Sequence, residues 1–431
     1  MVRASTALLA ALAACSLASC RSTRAAGLED RVSARGADAG ALVPLAPGET
    51  GIVLRCAAVL TMNADDEILR PGMVAIRDGL VRYVGPWGEV PAGWEVLDYP
   101  AGWASPGMVD LHSHVQTGGW GDINEMVIPV NPEFTTRPTI RPSNPNVRRA
   151  CAGGVTTLFG IPGSGTSMSG FGVLYKTKTH AGYAETVLAD PGGLKVAQTH
   201  NPERRAGDLG LTRAGLSWML SDFNDKARVV TPAGPGSPGY DPALDNLARV
   251  HRGELPVLIH CAGGQGVGNT VHMWKDVYDT RCVVSHGSFT GWKAARYAAE
   301  RGVPVNHGPR TMDYWSSREG RVVASGAEYV AAGVPDFSLN TDAGVIPQEE
   351  LFLQGSMTAR LGADAYQMMR AVTINPAASF GIADRVGSLE PGKHADVVVH
   401  AGDPLDPRSR VELVLIDGLV QYDVQSDGQW F

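Results

Sequence analysis

The stretch Pro106-Gly107-Met108-Val109-Asp110-Leu111-His112-Ser113-His114 runs from an apolar β-type segment into two histidines spaced two residues apart. Side chains at i and i+2 share one face of a strand, so both imidazoles leave the strand end in the same direction. At the C-terminal mouth of a barrel strand, where (β/α)8 enzymes keep their reactive groups, such a pair can chelate one ion. Imidazole is a borderline ligand suited to Zn, Fe, Ni or Co. A His-x-His pair alone is weak support for metal binding, so the rest of the chain decides.

From Met108 to about Asp384, apolar β-branched runs alternate with segments of helical character, the pattern of βα units. Eight candidate strands stand out: MVDLHSH, GVTTLFG, FGVLYKT, GLKVAQ, PVLIHC, RCVVSH, PVNHG and FSLNTD. The intervening GLTRAGLSWMLSDFNDKARV, YDPALDNLARVHRG, TGWKAARYAAERG and SGAEYVAAG supply helices. Eight strands over this length predict an α/β fold of the TIM-barrel type, which takes roughly 250 residues. A doubly wound sheet is the alternative, but no G-x-G-x-x-G opens a helix after the first strand. His260 closes PVLIH, His286 closes CVVSH and Asp342 closes FSLNTD. A single histidine at a strand end is usually a hydrogen-bonded structural residue; four histidines and an aspartate ending four strands point instead to a metal site.

The flanks differ in style. Short strand-like pieces in 46–105 and again in 385–431, punctuated by turns such as Asp78-Gly79, predict one small antiparallel β-sandwich domain built from both chain ends. The barrel then occupies 106–384. Residues 1–20 place Arg3 before an Ala/Leu run ending in small residues, the layout of a secretory signal and too short for a spanning helix. Residues 21–45 have no apolar periodicity and read as a flexible tether. Leu17-Ala18-Ser19-Cys20 resembles a bacterial lipobox, with Leu12-Ala13-Ala14-Cys15 a close second. Lipid attachment at Cys20 predicts a cell-envelope lipoprotein facing the periplasm, a soluble exported enzyme being the alternative. Cys56, Cys151, Cys261 and Cys282 show no C-x-x-C pair and read as buried free thiols. A net charge of −7 without any basic block argues against nucleic acid and favours a small-molecule or short-peptide substrate. A homo-oligomer remains open.

Between Gly51 and the C-terminus the sequence resembles the amidohydrolase superfamily, nearest to its imidazolonepropionase-like and prolidase-like members. The segments that carry the likeness are PGMVDLHSH, AGGVTTL, GLKVAQTHNPERR, the His-ending strands, LNTDAGVIPQEEL and RAVTINPAASFGIADRVGSLEPGKHADVVV. The resemblance implies that His112, His114 and Asp342 bind one divalent metal, that His260 and His286 bind a second, and that Zn is the expected ion. It also implies that Lys195, in GLKVAQ, bridges the two as a carbamate. The physical case is that a barrel interior disfavours the ammonium, while the neutral amine can take up carbon dioxide. Lys176 and Lys178 are weaker candidates, expected to face solvent or substrate. His200 stands where the family usually has Glu; with Asn201, His307, Asn124 and Glu125 it is a candidate substrate contact. The glycine-rich CAGGQGVGN after His260 departs from the polar run expected there, so specificity cannot be copied from a relative. The long loop after His114 is expected to fold over the site, with Trp120 as an apolar wall or packed on its own loop.

The implied reaction is hydrolysis of an amide or peptide-like C–N bond by hydroxide formed between the two ions, with Asp342 shuttling the proton. N-acyl amino acids or dipeptides rank first as substrates. Cyclic amides or lactones, esters or phosphotriesters, a one-metal deaminase and a non-catalytic lipid-anchored binding protein are the alternatives.

Overall fold

The first strand, β1 (Gly51–Leu60), is followed by β2 (Ile68–Leu69), β3 (Gly72–Arg77), β4 (Leu80–Pro86) and β5 (Trp94–Pro106). The computed structural model describes residues 27–31, 42, 44–116, 123–125, 127–203, 212–313 and 322–430. Cys15, Cys20, Trp120 and most of the expected tether lie outside them. Gly107 alone separates β5 from β6 (Met108–Ser113). A Cβ there would sit 2.0 Å from Thr156 Oγ1, so only glycine passes the chain from one sheet to the next.

The eight expected strands all form: β6, β7 (Val155–Gly160), β8 (Met168–Lys176), β9 (Val187–Ala197), β10 (Val257–Ala262), β11 (Cys282–Ser288), β12 (Val305–His307) and β13 (Ser338–Leu339). They pair in sequence order as one sheet. A parallel bridge between Ser113 and Ala343, with His114 N donating to Ala343 O at 2.7 Å, brings the last strand's exit back to the first and nearly closes a barrel. Strands β6, β7, β10 and β11 are buried at every position or nearly so, as β-branched runs covered on both faces require.

One strand corrects the expectation of uniform βα units. β8 runs antiparallel to both β7 and β9. The β7–β8 connection is only 161–167, and a parallel return needs a crossover of a dozen residues or more. The helices expected from the sequence appear at Arg213–Ala227, Asp245–His251, Ala295–Glu300 and Ser325–Ala331. Thr212 caps the first, its side chain accepting from Gly215 N at 3.2 Å. The largest buried cluster gathers Trp274, Tyr329, Tyr366 and Leu351 with Val196, Ile259 and Val284 from the strands.

The end segments meet through β14 (Val397–His400), β15 (Val411–Ile416) and β16 (Leu419–Asp423). They join β1–β5 in one continuous ladder, β16-β15-β14-β5-β1-β3-β4, with β2 on β1. The expected sandwich of two stacked sheets is therefore represented by a single eight-stranded sheet. Nor is it wholly antiparallel, because β1 and β5 pair in parallel, the chain between them being long enough to cross over. Cys56, Cys151, Cys261 and Cys282 are buried free thiols. No helix among the described residues is long and apolar enough to cross a membrane.

Candidate metal centre

Strands β6, β10 and β11, with the residues just after β13, deliver His112, His114, His260, His286 and Asp342 to one end of the barrel. His112 Nε2 lies 3.3 Å and His114 Nε2 3.4 Å from the same oxygen, Asp342 Oδ1. The ligand atoms of these three residues fall within 4.8 Å of one another. The His286 ring sits 4.3 Å from His112 and 4.5 Å from His260, centroid to centroid. All four imidazoles are buried.

Three of the four have the outward nitrogen pinned. His112 Nδ1 pairs with Ser285 Oγ at 2.7 Å, His114 Nδ1 with Ile161 O at 3.0 Å, and His286 Nδ1 with Gly308 O at 3.1 Å. Inward, His112 Nε2, His286 Nε2 and both nitrogens of His260 are buried with no hydrogen-bond partner among the described residues. Leaving such an atom unsatisfied costs roughly 1–3 kcal/mol, a cost that a cation removes. Fixing one ring nitrogen while freeing the other is how ligating histidines are oriented. The donor set of imidazoles and a carboxylate therefore fits a divalent transition ion.

Neighbouring residues on a strand ordinarily face opposite ways, yet Ser285 and His286 both address His112. His286 has φ +69°, and this left-handed backbone swings its ring inward. Asp342 at φ +49° does the same for its carboxylate. Non-glycine residues rarely accept this conformation, and it collects where geometry matters more than local energy. Tyr329, whose hydroxyl donates to Gly287 O at 2.8 Å, props the strained turn.

Electrostatics favour the neutral rings of His112, His260 and His286, the form that offers a lone pair. Burial first, then the neighbouring charges of His286 and Lys195, hold His112 well below the usual histidine range; His260 is lowered in the same way. Burial likewise takes His286 to about 4, against the opposing pull of Asp342. For Asp342, burial pushes the carboxyl up, but His286 and His114 outweigh it and the net shift is downward. Lys195 is fully buried on β9, its amine lowered to about 7 by desolvation, with Asp342 opposing. Its Nζ donates to Ser164 Oγ at 2.6 Å.

A cavity of 290 Å³ opens on this cluster, lined by His114, Asp342, Asn124, Ser164 and Asn201 among others. Asn124 and Asn201, the candidate substrate contacts, are among its lining residues. Glu125 accepts from Val127 N at 2.8 Å and is not part of that lining. His200 is exposed at the rim, its ring 5.3 Å from Phe289. His307 cannot touch substrate: it is fully buried, with Nδ1 on His286 O at 2.6 Å and Nε2 on Ser325 Oγ at 2.9 Å. Lys176 is also corrected. Because β8 runs backwards, its C-terminal end lies away from the mouth, and buried Lys176 pairs there with Asp396 at 2.9 Å and with Asp417. Lys178 pairs with Asp417 as well.

Three positions escape a reading by strand ends. Asp110 is fully buried and accepts from Thr341 Oγ1 at 2.7 Å and Gln348 Nε2 at 2.6 Å, tying β6 to the segment that carries Asp342. Burial raises its carboxyl to about 6 against those donors. Its signal was available, since it stands two residues before His112 in an otherwise apolar strand. Ser285 and Ser164 had none, because small hydroxyls are common in strands and turns.

Comparison with known proteins agrees with this geometry. The model of the Amidohydrolase family matches residues 218–427. Amidohydrolase tasK of Hapsidospora irregularis is 26% identical over 82% of the chain, which spans only 40% of that protein. An imidazolonepropionase of Sphingopyxis alaskensis is 23% identical, covering 81% of the chain and 92% of the relative. The crystal structure of an amidohydrolase from Thermotoga maritima superposes with a TM-score of 0.76 at 29% identity, covering 86% of this chain and all of that one. Over residues 218–427 the chain thus matches the Amidohydrolase family, and over 86% of its length it is similar in fold to a solved amidohydrolase.

Proposed function

We propose that this protein is a metal-dependent hydrolase of amide or peptide-like C–N bonds, with N-acyl amino acids or dipeptides as its substrate class. One observation carries the reading: buried imidazole nitrogens of His112, His260 and His286, none with a hydrogen-bond partner, converge beside the Asp342 carboxylate. In this proposal His112, His114 and Asp342 hold one divalent ion, His260 and His286 a second, and carboxylated Lys195 reaches both. Zn is the proposed ion. Such ions supply Lewis acidity, making water nucleophilic near neutral pH and polarising a carbonyl.

The chain's own groups supply the rest. Asp342, with 19% of its side chain exposed, faces the cavity; its carboxylate takes the proton of the attacking water and returns it to the leaving nitrogen. Burial leaves a large share of Lys195 as the neutral amine, the form that adds carbon dioxide, and Ser164 fixes where that amine points. Ser285, Ile161 O and Gly308 O fix the rings. Asn124 and Asn201 line the space where the scissile group must lie.

The test is metal content per chain by elemental analysis, wild type beside Lys195→Ala, both prepared with bicarbonate. Two ions falling to one or none supports the bridged pair. A second reading, a one-metal deaminase-type centre, draws on the tight grouping of His112, His114 and Asp342 and on Lys195 being satisfied by Ser164. One ion in both proteins would bring it forward.

The proposal also places the enzyme in the cell envelope, lipid-anchored through Cys20 or Cys15. Intact mass of protein from the membrane fraction, wild type beside Cys20→Ser, tests this.

A further inference from the structure

A second, larger cavity of 590 Å³ adjoins the first, and the two share His114 and Ile123 in their linings. Its charged side chains are Arg141, Arg149 and Glu349, with His114 at the shared wall. Arg149 and Glu349 form an ion pair and neutralise each other. Arg141 is exposed and has no carboxylate or hydrogen-bond partner for its guanidinium among the described residues. Among the described residues the cavity therefore carries one uncompensated positive charge, and it shares the His114 wall with the cavity that Asp342 lines.

We propose that Arg141 is a specificity-determining residue that receives the carboxylate of the substrate, so that the substrates are amides carrying a free carboxyl group on the amine side. This rests on the hydrolase reading above and assigns the group that recognises its substrate class. A guanidinium presents its donors as a planar fork that matches a carboxylate, and it stays charged at every physiological pH. A substrate spanning both cavities would set its anion on Arg141 and its scissile group beside Asp342, which an uncharged amide or a cationic amine could not do equally well. Arg141 lies at the chain's surface, so its replacement does not disturb a packed core.

The experiment compares N-acetylglycine with N-acetylglycinamide, which differ only in the carboxylate. Dissociation constants for both are measured by calorimetry on the full-length Asp342→Asn protein, in which the ligand is not consumed, with and without Arg141→Met. The expected result is a preference for the carboxylate of about tenfold or more, the order contributed by a charge-assisted hydrogen bond, falling to near parity in the double variant. Equal affinities in the Asp342→Asn protein, or a preference that survives Arg141→Met, would overturn the assignment. Hydrolysis of the same pair is measured separately on protein with native Asp342. Absence of turnover beside an Arg141-dependent preference defeats the hydrolase reading alone; turnover without that preference defeats only the role of Arg141.

Discussion

Two clusters of buried ionisable side chains flank the barrel, and they are built on opposite principles. Around Lys176 the charges are matched: the ammonium meets Asp396, Asp417 and His394, and Lys178 adds a second cation to Asp417. Around Asp342 the hydrogen bonding is left incomplete, with imidazole nitrogens of His112, His260 and His286 lacking partners in the interior. A buried charge that is paired holds pieces of the fold in register; here it ties β8 to the β14–β15 region of the other sheet, with Asp396 Oδ2 the one oxygen of the cluster that lacks a partner among the described residues. A buried set of donors left short of partners is costly to the fold alone and makes sense only with a ligand.

The sharpest way to break this contrast is to remove one group from each cluster. Asp342→Asn should lower kcat by about 10²–10⁴-fold, the usual contribution of a positioned general acid–base, while thermal unfolding changes little. A near-normal kcat would take Asp342 out of proton transfer. Lys176→Met should do the reverse, leaving metal content at the wild-type level but destabilising the chain by roughly 3–5 kcal/mol, because two carboxylates lose their buried partner. Denaturant unfolding reads that number, and a loss under 1 kcal/mol would mean the cluster is more hydrated than its 3% side-chain exposures at Lys176 and Asp396 indicate.

The two clusters were also unequally legible in the sequence. His112, His114, His260, His286 and Asp342 each end an apolar run, and a residue that terminates a barrel strand has little choice about where it goes. The eight runs themselves were plain because β-branched residues between helical segments leave few other folds. Strand direction was not plain: the pattern of FGVLYKT is the same read either way, and only the brevity of 161–167 forbids a crossover. That one reversal misplaced Lys176 from the mouth to the opposite end. The inward turn of His286 was equally hidden, since a positive φ at a non-glycine residue is imposed by packing such as the Tyr329 strut rather than by local sequence. His307 misled because its position at a strand end is the same as that of a ligand; only the helix carrying Ser325, packed over it, closes its second nitrogen.

Saturating divalent metal separates the clusters by a smaller effect. Zn at a hundred times its dissociation constant should stabilise metal-free protein by about 2.7 kcal/mol, seen as a rise in Tm, and the rise should vanish in His112→Ala/His260→Ala. Lys176→Met should keep the full increment although its starting Tm is lower. If that variant lost the increment, the two ends of the barrel would be coupled rather than independent.

Acid offers the mildest probe, and it acts on the paired cluster. Burial alone would raise the Asp417 carboxyl, but His394, Lys176 and Lys178 outweigh it and hold it well below the ordinary carboxylate value. A carboxyl depressed in the folded state contributes stability that is fully present above its unfolded pKa, near 4, and is lost as pH falls through its lower folded value. Wild type should therefore lose stability steadily as pH drops below about 4, over and above the general effect of protonating surface acids. Asp417→Asn should be less stable at pH 7 and should show a shallower decline in that acid window. Parallel curves for the two proteins would mean that Lys176 draws its compensation from Asp396 alone, and that the second carboxylate is a surface ornament of the cluster rather than part of what holds the reversed strand in place.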